Sequence, residues 1–112
     1  MSKPTDRAYS TYSREALALL GQMIRLGRTE RKISAGQLAT RAGISRDLLQ
    51  RIERGNPGSA IGAVFEAAAI AGVKLFETGP QNITEQLAAA NAKLALLPRK
   101  ARKTRKAVKD AF

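Results

Sequence analysis

Two serines eleven residues apart, Ser34 and Ser45, with Gly43 just before the second, constrain this chain more than any other feature. Residues 34 to 37 read Ser-Ala-Gly-Gln. This is a capping box, in which a serine side chain accepts from the amide three residues on and the glutamine reaches back to the serine amide. It starts a helix whose buried stripe is Leu38, Ala39 and Ala42. Gly43 ends that helix, because glycine takes the left-handed conformation at little steric cost. Ser45 is a second N-cap. It starts another helix running to about Arg54, where Gly55 and the turn residues Asn-Pro-Gly-Ser stop it.

Two short helices joined by a tight turn at a glycine form the helix-turn-helix layout. Ala39 must be small because the following helix crosses close to it. Ile44, Leu49 and Ile52 plug the angle between the two helices. That leaves Ser45, Arg46, Asp47, Gln50 and Arg51 on the outer face, where this motif reaches base edges in the major groove. The residue types suit the task. Arg46 and Arg51 can each donate a pair of bonds to guanine O6 and N7, and Gln50 can bond adenine. Asp47 can accept from cytosine N4 or hold an arginine in its rotamer. Ser34, the first amides of its helix, Gln37, Arg41 and Arg54 are candidates for the phosphate contacts that fix register.

The charge agrees with a nucleic-acid partner. Twenty Lys and Arg against nine Asp and Glu give a formal charge of +11 in 112 residues, which points to a polyanion. Five aromatics leave a small aliphatic core, and its Leu and Ala favour helix. The chain holds no Cys and no His. Their absence removes disulfides, most zinc sites and the commonest general base. There is no phosphate-binding glycine loop, no dinucleotide turn and no metal-ligand cluster, so no enzyme, cofactor or metal is expected. No apolar run approaches the ~18 residues of a membrane span, and the first residues lack the apolar stretch of a signal peptide. A cytoplasmic, nucleoid-associated protein without a membrane partner is the expectation.

Around the motif, residues 1–12 read as a polar arm, with Lys3 and Arg7 able to touch a phosphate backbone. Ser13 is the expected cap of a first helix that buries Leu17, Leu20, Ile24 and Gly27 and ends in the basic Arg28, Arg31 and Lys32. A fourth helix from about Ala60 should bury Ile61, Val64, Phe65 and Ala68 and close at Gly72. Residues 73–76, Val-Lys-Leu-Phe, are an extended cover for the core or a brief strand. After a linker, Asn-Ile-Thr-Glu at 82–85 signals a fifth helix to Leu97, with Ile83, Leu87, Ala90, Leu94 and Leu97 at heptad steps. This face either packs on its own domain or forms a dimer seam. The chain thus divides into an arm (1–12), a DNA-binding domain (13–76), a linker with a C-terminal helix for a second copy or a partner (77–97), and a basic tail (98–112).

Residues 17–73 resemble the lambda-repressor-like, or XRE, family of DNA-binding domains, on "IRLGRTERKISAGQLATRAGISRDLLQRIERG" and the trailing "FEAAAIAGV". The resemblance implies an all-α, compact four- to five-helix domain and a sequence-specific repressor. It also implies that Arg28 of the first helix pairs with Glu53 at the end of the recognition helix, so these two are structural. Dimers of such domains read palindromic duplex operators with half-sites about 34 Å apart. The ending "LPRKARKTRKAVKDAF" resembles the tails of HipB-like antitoxins, encoded beside HipA-type Ser/Thr kinases. That implies an autorepressor which also binds a kinase toxin; the alternative is a stand-alone repressor of the XRE family. The chain departs from the better-known HipB proteins in lacking tryptophan and in having a helix plus basic tail where they have a strand-like lid.

The tail carries seven Lys or Arg and one Asp from 99 to 112. Charges this dense repel, and a disordered free segment is expected. Arg99, Lys100, Arg102, Lys103, Arg105 and Lys106 can act as an electrostatic arm on DNA through counterion release. The segment can instead fold on an acidic protein face, or simply solubilise the chain. Val108 and Phe112 favour the protein face, since a pure phosphate-binding arm has no use for a terminal aromatic.

Overall fold

The computed structural model describes residues 8–76 and 80–98. Lys3, Arg7 and the tail residues Arg99 to Phe112 lie outside them. Five helices run in the order α1 (Thr11–Glu30), α2 (Ala35–Ala42), α3 (Arg46–Glu53), α4 (Ile61–Ala71) and α5 (Pro80–Leu96), with no strand among the described residues. The chain forms two compact units, Met1–Leu75 and Phe76–Phe112. Among the described residues no helix is long and apolar enough to cross a membrane.

The caps decide where the helices of the first unit begin. α1 starts earlier than the Ser13 cap predicts: Ser10 caps it, accepting from the Ser13 amide at 3.1 Å. Both serines are cap types three residues apart, and the outer one gives the longer helix. The capping box of α2 has both halves: the Gln37 amide donates to Ser34 Oγ at 3.1 Å, and the Ser34 amide donates to Gln37 Oε1 at 2.9 Å. Gly43 then takes φ 72°, and the Ile44 amide folds back onto the Ala39 carbonyl at 3.0 Å. Ser45 caps α3 by accepting from the Leu48 amide at 3.0 Å. The turn at Gly43 is therefore closed by bonds on both sides.

α3 and α4 each pack on both α1 and α2. Ile24, Leu38 and Leu49 are the largest fully buried side chains, joined by Ile33, Ala39, Ile52, Ala67, Ala68 and Ala71. Ile44, Leu20, Val64, Val73 and Leu75 are half-buried against this cluster. Leu17 and Ala42 are likewise half-buried. α4 turns Val64 and Ala68 to the core as expected, but not Ile61 and Phe65. Ile61 and Phe65 are exposed, while Ala67, Ala68 and Ala71 are buried. The three alanines let α4 come close, which larger side chains at those positions would prevent. Residues 73–76 form no strand, and only Val73 and Leu75 of them pack against the core.

The second unit is α5. It begins at Pro80, two residues before the Asn82 cap signal. A proline loses no hydrogen bond in the first turn, where its missing N–H has no intrahelical partner. The helix ends at Leu96, two residues before Pro98. Ile83, Leu87, Ala90, Leu94 and Leu97 are all exposed.

Close approach sets the register of α1 on α3. A Cβ added at Gly21 would lie 2.5 Å from the Glu53 carbonyl oxygen and 2.6 Å from that of Ile52. Both are backbone atoms that cannot swing away. Gly21→Ala is therefore expected to destabilise the chain by about 1–3 kcal/mol, although alanine is the better helix former by about 1 kcal/mol. Gly62→Ala, where a Cβ would meet nothing within 4 Å, should stabilise by up to about 1 kcal/mol. Urea denaturation of the two variants checks the opposite signs.

Candidate nucleic-acid interface

α3 divides cleanly between core and solvent. Leu49 and Ile52 are buried and Leu48 is half-buried. Ser45, Arg46, Asp47, Gln50 and Arg51 are all exposed. Arg46 and Gln50, and likewise Asp47 and Arg51, are four residues apart, so they stand one above the other on the same side. Arg54, at the C-cap, continues that row one turn beyond Gln50. The face thus offers three guanidinium groups, one amide and one carboxylate on a rigid helix of eight residues. Ser45 accepts from the Leu48 amide, and its O–H remains free to donate.

The residues expected to contact phosphate fall in two places. Ser34, Gln37 and Arg41 line a shallow cleft of about 520 Å³ with Gly36 and Thr40, at the start of α2. Ser34 and Gln37 are bound to each other through the capping box. What remains to meet an anion is the serine O–H, the Gln37 Nε2 group, the Arg41 guanidinium and the first amides of α2, where the helix dipole is positive. Arg54 lies apart from this group. It lines a cleft of about 360 Å³ with Arg25, Arg28, Ala35, Gln50 and Glu53. The sequence reading passed over Arg25. It stands one turn before Arg28 on the same side of α1, and that three-residue spacing was the available signal. Exposed beside Gln50 and Arg54, Arg25 joins the candidate phosphate contacts.

Arg28 and Glu53 hold α3 to α1. Arg28 donates from Nε to Glu53 Oε2 at 2.6 Å and from NH2 to Oε1 at 3.1 Å, and its third arm reaches the Ile33 carbonyl at 3.3 Å. The two side chains are only 15% and 8% exposed. The hydrogen bond to Glu53 raises the Arg28 pKa above its ordinary value, partly opposed by burial and helped by the carboxylate charge. A bidentate pair that is shielded from solvent acts as a strut, leaving neither group available to DNA. The expectation that this pair is structural agrees with its geometry.

The helix-turn-helix domain family matches residues 19–75, about half of the 112 residues. The chain belongs to the helix-turn-helix domain family. It is a DNA-binding regulator of the XRE-like kind. No curated protein matches the chain.

In this helix-turn-helix domain the strut makes a separable prediction. Arg28→Ala or Glu53→Ala leaves a buried charge without its partner and should cost about 3–5 kcal/mol. Replacing both together with Met and Leu should restore most of that loss. Chemical denaturation of the two single variants and the double variant measures the difference. Equal losses in all three would contradict the strut.

Proposed function

We propose that this chain is a sequence-specific transcriptional repressor that binds a palindromic duplex operator as a homodimer and acts by binding alone. The observation that carries the reading is the exposed row Arg46, Asp47, Gln50 and Arg51 on α3, directly behind which Leu49 and Ile52 anchor the helix in the core. A helix held that firmly can present side chains to base edges without first being ordered. The second copy follows from size: one such helix reads few base pairs, and two copies reading half-sites about one helical turn apart double the contacts.

A second reading adds a partner. The chain is an antitoxin that represses its own operon and binds a HipA-type Ser/Thr kinase toxin. What favours it is Val108 and Phe112 within a tail that otherwise holds seven cations, one Asp and small residues. A kinase with an acidic surface next to an apolar pocket would suit both features. Without that partner, the same chain is a stand-alone XRE-family repressor whose tail is an arm on DNA.

Binding-site selection with the full chain tests the first reading. Arg46→Ala and Gln50→Ala should each lower discrimination at one position of the selected site by about 5- to 150-fold, while non-specific affinity stays close to that of the parent. Loss of binding to all sequences alike in Arg46→Ala would contradict base reading. Co-expression with the product of the adjacent gene, followed by size exclusion at about 0.5 M salt, where the Debye length falls well below 10 Å, tests the second reading. A complex that survives and is lost on deletion of residues 98–112 supports the antitoxin. A lone repressor whose DNA affinity depends less on salt after that deletion contradicts it.

A further inference from the structure

α1 carries a second apolar stripe that the core does not use. Tyr12, Ala16, Leu19, Met23 and Leu26 recur at steps of four, three, four and three, the spacing of a helix–helix seam. Gly21, Ile24 and Gly27 face the core, and the stripe is centred about 120° around the helix from them. Tyr12 is 80% exposed, Leu19 59%, Met23 39% and Leu26 60%. An isolated exposed leucine is ordinary, but five apolar positions in register along about 21 Å of helix form a patch.

We propose that this stripe is the surface on which two copies of the chain meet, α1 against α1 and antiparallel. The inference rests on the homodimer reading above and names its surface. Charge selects the occupant. At +11, two copies repel over most approaches. The stripe holds no lysine or arginine, and neither do the polar positions beside it, Glu15, Gln22 and Thr29. Arg14 and Arg28 fall on the other side of the helix, and Arg25 reaches the stripe only at its Leu26 end, where the two share a cleft with Gln22 and Thr29. A second copy can therefore close on this face without bringing cations together, since in an antiparallel pair the two Arg25 side chains lie at opposite ends of the seam. DNA, or an acidic protein surface, finds only Arg25 there, at one end.

Register supports the same occupant. An antiparallel pairing that sets Leu19 against Met23 of the second copy also sets Ala16 against Leu26 and Tyr12 against Glu30. The phenol O–H can then donate to the carboxylate at each end of the seam. The exposed side chains offer roughly 500 Å² per copy, so a pair buries about 1,000 Å², the lower bound of a specific interface. The dimer is accordingly weak in free solution. It tightens on an operator, where two half-sites hold both copies together and make their meeting effectively intramolecular.

Sedimentation equilibrium of the full chain without DNA, over a range of concentrations, tests the surface with Leu19→Arg and, on α5, Leu87→Arg. Leu19 is exposed, so the fold should survive the change, and circular dichroism checks that it does. The parent and Leu87→Arg should show a monomer–dimer equilibrium that persists at high salt, and Leu19→Arg should weaken it at least about tenfold. The chain has no cysteine, so mixing Leu19→Cys with Met23→Cys chains under mild oxidation should give a mixed disulfide dimer. Chains with Glu66→Cys, on the exposed side of α4, should give far less. Loss of the dimer in Leu87→Arg with no change in Leu19→Arg overturns the α1 surface but keeps the homodimer. A parent chain that stays monomeric throughout, and fills operator half-sites independently, overturns both.

Discussion

The bidentate pair between Arg28 and Glu53 is the interaction on which the presentation of α3 depends. α3 has eight residues, too few to be stable as an isolated helix. Its orientation must come from tertiary contacts at each end. At its start, Ser45 caps it two residues after the Gly43 turn. At its end, Glu53 is gripped by a guanidinium from α1 that also binds the Ile33 carbonyl. Between these ends, Leu49 and Ile52 enter the core. Nothing on the outer face is needed to hold the helix, so its outward side chains are free to vary with the sequence being read.

The same economy appears in α1, whose residues serve three sides. Gly21 and Gly27 allow backbone contact with α3 and α4, a closeness that any side chain would forbid. Arg28 and Arg31 reach across to other elements, Arg31 donating to the Ala71 carbonyl at the end of α4 at 2.8 Å. The remaining side carries the apolar seam from Tyr12 to Leu26. A core in which four of the nine buried hydrophobic residues are alanine gains little from transfer of apolar area per residue. It compensates with short interhelical distances and with polar ties at the helix ends.

Much of this was legible in the sequence because it is written in local chemistry. The capping box at Ser34, the left-handed Gly43 and the cap at Ser45 are decided within a few residues, and the structure places each where the pattern does. The Arg28–Glu53 pair came from resemblance, not from spacing, since 25 residues separate the partners. What the sequence hid depends on packing. In α4 an apolar run on nearly every side cannot say which side is buried; the three alanines won over Ile61 and Phe65 because they admit closer approach. The start of α1 at Ser10 and of α5 at Pro80 reflect competing start signals within a turn of each other. Arg25 was passed over because its role depends on a cleft shared with Gln50 and Arg54, and its three-residue spacing from Arg28 says nothing of that cleft.

The most direct test of the recognition face is an amide chemical-shift titration of the isotope-labelled full chain with a duplex selected by the chain itself, at physiological salt. The largest changes should fall at Ser45 to Arg51 and at the start of α2 from Ser34 to Gln37, with smaller changes at Arg25 and Arg54. Changes confined to residues 99–112, with α3 unperturbed by the selected duplex, would contradict a recognition helix and leave DNA binding to the tail alone.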